Sequence, residues 1–323
     1  SRNRIPSAEE ISSAVAVADV DRDGDLDIFV GARFKGGSYP SPGVSRLLLN
    51  DGKGAFTDAT DALAPGLKES AMISGALWSD VNDDGWIDLM LACDMGSPQY
   101  WENQKGKLVN QTARWGLLPY AGRWNGLSAG DIDNDGDIDY LMTNEGLSGY
   151  GVPRREMLVG EFGGEQGRLL IDTIVEDSVK IPLATWNQLI AADKGFTRFG
   201  ADSRELVATG LTKLFSPENI ENSASWSNNT LESALFINRG AEEGFDYQPL
   251  PKVAQVSTAY GSVIGDLNFD GRADLYLVQN RGKSTLRHPD PANRGVSQLF
   301  LGKGTEGVNF ETVSPDYSGL IVF

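Results

Sequence analysis

Short apolar runs recur along this chain, and turn-forming residues bound nearly every one of them. Residues 14–18 (A-V-A-V-A) and Ile28-Phe29-Val30 flank one turn, and Ala76-Leu77-Trp78 and Leu89-Met90-Leu91 flank a second. Val263-Ile264 and residues 275–278 flank another. Runs this short, rich in β-branched and aromatic residues, read as strands. A second pair of runs follows each hairpin. Residues 45–50 and 56–58 surround Asp51-Gly52-Lys53-Gly54, and 99–103 and 108–111 repeat the arrangement. Residues 298–301 and 309–313 repeat it around Gly302-Lys303-Gly304. The pattern predicts four-stranded units at a period of 50 to 60 residues, since the turns at Asp19, Asp80 and Asp131 start 61 and 51 residues apart. Such a period is that of β-propeller blades.

The long interval between Asp131 and Asp266 breaks this period. Residues 157–161 and 170–175 read as strands around a loop at 161–172 poor in carboxylates. They form either a decayed metal-free unit or the outer hairpin of the third blade. Leu183, Trp186, Leu189 and Ile190 recur at helical spacing, as do Leu206, Leu211, Leu214 and Phe215, and Ser216-Pro217-Glu218-Asn219 is a helix start. Residues 177–232 are therefore expected to be a helical insertion, after which 235–238 and 245–250 return to strand. The expected architecture is all-β, a single propeller domain over 1–323. Five blades are countable, and a larger, incomplete ring is equally compatible.

The turn inside each first hairpin carries the chemistry. It reads D-V-D-R-D-G-D-L-D from Asp19 to Asp27, D-V-N-D-D-G-W-I-D from Asp80 to Asp88, D-I-D-N-D-G-D-I-D from Asp131 to Asp139 and D-L-N-F-D-G-R-A-D from Asp266 to Asp274. Positions 1, 3, 5 and 9 offer side-chain oxygens: Asp19, Asp21, Asp23 and Asp27; Asp80, Asn82, Asp84 and Asp88; Asp131, Asp133, Asp135 and Asp139; Asp266, Asn268, Asp270 and Asp274. Position 6 is glycine throughout, and position 7 (Asp25, Trp86, Asp137, Arg272) varies as a residue offering its backbone carbonyl would. A flexible shell of oxygens suits Ca2+ better than Mg2+, so about four Ca2+ are expected. An ordinary Asp-Gly hairpin turn explains one copy as well, but not four aligned ones. An EF-hand is rejected, because position 12 is Val30, Leu91, Met142 or Leu277 in place of glutamate and the flanks are strands.

Charge fits this reading. The 323 residues hold 28 Lys and Arg against 45 Asp and Glu, a net charge of −17, of which four Ca2+ would neutralise about half. An acidic chain is a poor partner for nucleic acid, whose phosphates need basic residues. The hydrophobic content of 40% is that of a folded core. The single cysteine, Cys93, lies in an apolar run, where a buried structural thiol is expected. No apolar run is long enough for a transmembrane helix. Weak Ca2+ sites are frequent in extracellular modules, so a secreted or cell-surface location is expected.

The four loops resemble the FG-GAP/VCBS calcium-propeller repeats found in integrin α-subunit heads. Together with Ala64-Pro65-Gly66-Leu67, Trp124-Asn125-Gly126-Leu127, Asn144-Glu145-Gly146-Leu147 and Leu231-Glu232-Ser233, they are similar to bacterial proteins of the cartilage-acidic-protein type. The resemblance implies an exported or surface protein with Ca2+ in its blades. In such a fold the loops opposite the metal turns hold Arg33, Lys35, Tyr39, Trp115, Tyr120, Arg123, Trp124, Tyr150, Arg154, Arg155, Arg281, Lys283, Arg287 and His288. Of these, Arg33, Tyr39, Trp115, Tyr120, Arg123, Trp124, Tyr150, Arg154, Arg281 and Arg287 are the expected ligand-binding set, because arginine and aromatic residues anchor binding surfaces. The same residues read alternatively as plugs of blade junctions and partners of carboxylates. The function expected is non-catalytic recognition or adhesion, with protein or polysaccharide bound on that face. A Ca2+-dependent polysaccharide lyase using Tyr150 and Arg154 is the alternative.

Overall fold

The computed structural model describes residues 10–37, 39–147, 155–164, 167–176, 178–184, 189–190, 194, 197, 210–279, 296–304, 308–314 and 317. The chain divides into two compact units, residues 1–151 with 231–323, and the intervening 152–230.

In the larger unit the alternating runs form four antiparallel sheets. The first is β1 (Glu10–Ala18), β2 (Asp27–Lys35), β3 (Arg46–Asn50) and β4 (Phe56–Asp58), paired in chain order. The second is β5 (Met72–Ser79), β6 (Asp88–Gly96), β7 (Gln99–Asn103) and β8 (Leu108–Asn110), with β9 (Gly122–Arg123) joined to β6. The third begins with β10 (Gly126–Gly130) and β11 (Asp139–Thr143) and, after the insertion, ends with β16 (Ala234–Asn238) and β17 (Phe245–Pro249). The fourth is β18 (Ala259–Gly265), β19 (Asp274–Gln279), β20 (Gln298–Gly302) and β21 (Phe310–Val313).

These sheets pack face to face, which explains why their second strands read as unbroken apolar runs, as strands covered on both faces do. Along β6, Leu89, Leu91 and Cys93 join a core with Phe29, Leu47 and Ile73 of neighbouring strands. The alternate residues Met90 and Ala92 join another with Trp115, Trp124, Tyr140 and Phe236. Strand β11 repeats the division, Tyr140 and Met142 facing one way and Leu141 the other, where Leu235, Leu275, Leu277 and Phe300 lie. First strands stand close together. Ser13 Oγ donates to the Ile73 carbonyl, and Ser128 Oγ lies 2.7 Å from Ser262 Oγ. A Cβ on Gly31 would come within 2.6 Å of Ile73 Cγ2, so this approach needs glycine. On the outward faces of the first and fourth sheets Val15 is 63% and Val263 50% exposed.

The smaller unit departs from the expectation. Its sheet combines β12 (Arg155–Gly164), β13 (Gly167–Glu176), β14 (Val179–Pro182) and β15 (Ala224–Asn228) in the order β14-β13-β12-β15. That order is not the meander of the other four sheets. The strands read at 157–161 and 170–175 are thus neither a fifth blade nor the outer hairpin of the third, whose β11 pairs with β16. The helical reading of 177–232 is met in part among its described residues, which are helical at Leu189-Ile190 and over Pro217–Glu221, the latter capped by Ser216 Oγ as its sequence predicts, with a 3-10 turn at Gly210–Lys213. The same stretch also holds the two strands β14 and β15, while Trp186 and Leu206 lie outside the described residues. The apolar spacing of Leu211, Leu214 and Phe215 serves to cover Leu158, Phe162 and Ile171 of the sheet, a demand that one turn of chain meets.

Candidate functional site

Each Asp loop spans the gap between a first and a second strand, and the register of the four is identical. The residue before position 1 pairs with position 9: Ala18 with Asp27, Ser79 with Asp88, Gly130 with Asp139 and Gly265 with Asp274. Two left-handed residues fold the chain back on itself. Position 6 is glycine with φ between +84° and +99°, as its sequence requires. Position 4 is also left-handed, at φ +62° for Arg22, +55° for Asp83, +60° for Asn134 and +61° for Phe269, which no common residue type announces.

The loop's own amides orient its carboxylates. The Oδ2 of position 1 accepts the N–H of the loop glycine in all four copies, at 3.1 Å from Asp19, 2.7 Å from Asp80, 3.1 Å from Asp131 and 2.9 Å from Asp266. The Oδ1 of position 5 accepts the N–H of position 7, at 2.9 Å from Asp23, 2.8 Å from Asp84, 2.9 Å from Asp135 and 3.0 Å from Asp270. Asp21, Asn82 and Asn268 at position 3 accept the N–H of position 5. Oxygens of Asp19, Asp21 and Asp23 gather within 4.8 Å of one another, and so do those of Asp131, Asp133 and Asp139. Loops two and four have an amide at position 3, and Asn82 and Asn268 each donate Nδ2 to the position-5 carboxylate at 3.2 and 3.1 Å.

Three of these oxygens fit a cation. Asp19 Oδ1, Asp131 Oδ1 and Asp133 Oδ1 are buried and accept no hydrogen bond. A buried acceptor without a partner costs about 1–3 kcal/mol, more when charged, and a hard cation is the partner such oxygens take. Burial first, and then Asp135, Asp83, Asp131 and Asp133, raise the pKa of the Asp137 carboxyl, so negative charge crowds loops two and three together. Arg239 lies against this crowd, with Nη1 2.7 Å from Asp133 Oδ2.

Position 9 does something its sequence does not reveal. Asp27, Asp88, Asp139 and Asp274 are fully buried. Each takes one backbone N–H group from position 2 of its loop and one from the end of the third strand, and Asp274 takes that of Asn268 as well. For Asp139 these are Ile132 at 2.8 Å and Asn238 at 2.8 Å; for Asp27 they are Val20 at 3.0 Å and Asn50 at 2.9 Å. Asp88 takes Val81 and Asn103, and Asp274 takes Leu267 and Gly302. The side chain at position 7 also has work beyond its carbonyl, since Arg22 of loop one lies 4.1 Å over the Trp86 ring of loop two. Arg272 is 4.0 Å from Asp270.

At the other end of the sheets the expected recognition residues separate into three groups. Arg33, Tyr39 and Arg123 come together on Asp94, whose side chain is 1% exposed. Arg33 donates Nη2 and Nε to Asp94 Oδ2 at 2.8 and 3.0 Å, Arg123 donates Nε to Oδ1 at 3.3 Å, and Arg123 Nη2 reaches Tyr39 Oη at 3.1 Å. Desolvation opposes the charge of Arg123, but Asp94, Tyr39 and Glu145 outweigh it and hold its pKa above the ordinary arginine value. Trp115, Tyr120 and Trp124, in contrast, fill the junction between the second and third sheets. Trp115 and Trp124 are 2% and 0% exposed, and Tyr120 stacks on Tyr247 at 4.3 Å. The two tryptophans are thereby corrected from ligand contacts to core. Tyr150, Arg154, Arg281, Lys283, Arg287 and His288 lie outside the described residues. Lys35 and Arg155 are placed on β2 and β12. The missed member is Asp94. Its signal was a carboxylate inside the apolar run of β6.

Residues 80–142, from loop two through loop three, match the FG-GAP-like repeat family. No curated protein sequence matches the chain. Among solved structures, the V. cholerae biofilm matrix protein Bap1 aligns over 95% of this chain with 15% identity and a TM-score of 0.35, and the alignment spans 40% of that protein's chain. Likeness at that level carries no weight for fold or role. The repeat family is therefore supported across two of the four loops, while the cartilage-acidic-protein branch finds no match. No helix among the described residues is long and apolar enough to cross a membrane.

Proposed function

We propose that the four meander sheets are blades of a Ca2+-stabilised β-propeller that acts outside the cell or on its surface. There it serves as a non-catalytic recognition or adhesion module for protein or polysaccharide. The observation that carries this reading is the four-fold recurrence of one loop geometry, with buried, partnerless carboxylate oxygens on Asp19, Asp131 and Asp133. In loop one, Asp19, Asp21 and Asp23 would hold the ion; in loop three, Asp131, Asp133 and Asp139 would, with Asp135 beside them. Loops two and four offer Asp80, Asn82 and Asp84, and Asp266, Asn268 and Asp270. Bound Ca2+ supplies positive charge that cancels the repulsion within each loop. The chain's own part is to aim the oxygens through the glycine and position-7 amides. Metal sites of this kind at one end leave the other end free for recognition. The FG-GAP-like match over 80–142 agrees with this assignment.

The test is co-sedimentation of the Ca2+-loaded chain with insoluble polysaccharides, beside a solid-phase screen against extracellular proteins, each with and without EDTA. Metal-dependent retention with the target left intact is expected. Cleavage of a retained polysaccharide would contradict the non-catalytic assignment.

A further inference from the structure

At the end of the sheets opposite the Asp loops lies a cavity of about 130 Å3, lined by Arg33, Arg123, Asn125, Glu145, Thr258 and Tyr260. All four sheets contribute to it. Arg33 comes from β2 and Arg123 from β9, Asn125 and Glu145 bracket the first hairpin of the third sheet, and Thr258 and Tyr260 lead into the fourth. We propose that this cavity binds one ring of a neutral, hydroxyl-rich glycan, a proposal that rests on the recognition reading above and names its ligand class.

The first argument is charge balance. Two guanidinium groups face Asp94, which is buried, and Glu145, whose Oε1 is 3.9 Å from Arg123 Nη1. Among the described side chains these formal charges cancel, so an anion gains little from them. A neutral polyol, which both donates and accepts, matches a wall that carries guanidinium donors beside carboxylate and amide acceptors. Arg33 directs Nε and Nη2 at Asp94, which leaves Nη1 as a donor.

The second argument is shape. The Tyr260 side chain is half exposed, at 51%, and an exposed aromatic ring offers a flat apolar face to the C–H face of a sugar. The cavity has the volume of about four waters at roughly 30 Å3 each, enough for part of one ring and too little for a whole oligosaccharide. The rest of the ligand would lie outside. The third argument is rigidity. Asn125 Nδ2 donates to the Ala259 carbonyl at 3.1 Å, Thr258 Oγ1 donates to the Glu145 carbonyl at 3.1 Å, and Ala259 N–H donates to the Asn144 carbonyl at 3.0 Å. Polar groups fixed before binding lose little entropy on binding.

The experiment screens the Ca2+-loaded chain against immobilised neutral glucan, galactan and mannan oligosaccharides, uronate and sulfated oligosaccharides, and a random-sequence peptide library. Tyr260→Ala is the site variant, and Val109→Ala, at an exposed side chain on β8 of the second sheet, is the control. The expected result is retention on a neutral glycan, about tenfold weaker in Tyr260→Ala and unchanged in Val109→Ala. Preference for uronate or sulfate, or retention indifferent to Tyr260, overturns the proposal. Peptide binding that depends on Tyr260 overturns the glycan class while the recognition reading stands. Loss of all retention in a chain that still binds Ca2+ overturns both. Circular dichroism of each variant separates a lost site from a lost fold.

Discussion

Asp27, Asp88, Asp139 and Asp274 open their second strands as the last carboxylate of each loop, and each also closes the sheet by accepting a backbone amide from its loop and one from its third strand. This double duty has a consequence for pH. Burial, against the two amide donors and with Asp133 and Asp135 adding to it, pushes the Asp139 carboxyl up to about 7; burial likewise pushes Asp88 up to about 6. A folded-state pKa above the unfolded value means that the folded chain binds the proton more tightly. Stability from this source is present below the unfolded pKa near 3.8 and is lost as pH rises through about 6 to 7. In EDTA, the melting temperature is therefore expected to fall as pH rises from about 4 to about 7, and Asp139→Asn to flatten that slope. A melting temperature that climbs steadily across the window would refute the assignment. Excess Ca2+ removes the fall, because the ion replaces the proton as the partner of these oxygens.

At the scale of the elements, the asparagine ending a third strand joins neighbouring sheets. Asn103 Nδ2 donates to the Val20 carbonyl of the first sheet's loop at 2.9 Å and to Ile87 at 3.0 Å. Asn238 Nδ2 donates to the Val81 carbonyl of the second sheet's loop at 2.8 Å. Loops one and two are thus held from both sides, the position-2 amide by the loop's own sheet and the position-2 carbonyl by the next. The fourth sheet has Gly302 at this place, beside a polar cavity of about 30 Å3 that also touches Ile132 and Asp133. A Cβ there would meet the Ala273 carbonyl at 2.5 Å, so the backbone has no room for the asparagine. Asn238→Ala is expected to lower stability by about 2 kcal/mol in urea unfolding, because the lost amide leaves the Val81 and Ile138 carbonyls without their donor. Asn50→Ala, whose Nδ2 reaches only Leu26 of its own loop, is expected to cost about half as much. Equal losses would remove the inter-sheet role.

Much at this scale was legible from period alone. Two-residue alternation and Asp-Gly turns place β4 and β7 at their observed limits and β3 within one residue of them, and the Asp loops fix where first strands end. Residues 152–230 were not legible in this way, because a sheet of a different strand order leaves no period to find, and because Leu211, Leu214 and Phe215 match a helical spacing while needing only one turn to cover Phe162. Tryptophan was ambiguous for a physical reason. Composition marks Trp115 and Trp124 as anchors of either a binding surface or a packed junction, and only the neighbouring Tyr100, Phe236 and Phe245 decide for the junction. Asp94 went unread because its role exists only where three chain segments meet.

At the scale of the whole molecule, the two ends of one row of sheets divide the labour. The acidic end, four loops of one geometry, holds the row together when its repulsion is cancelled. The other end, tied by Arg33, Asp94 and Arg123, gathers polar groups from all four sheets around a small cavity. The net charge of −17 is concentrated in the Asp loops, and if these hold Ca2+ as proposed, the chain stripped of it would be a self-repelling version of the same fold. The measurement that tests this most directly is thermal unfolding in EDTA and in millimolar Ca2+, with bound metal counted by elemental analysis. About four Ca2+ per chain and a melting temperature raised by well over 10 °C are predicted, since four sites bound only by the folded state act together. A chain that retains no metal and melts at the same temperature in both buffers would reduce the Asp loops to turns and contradict the account.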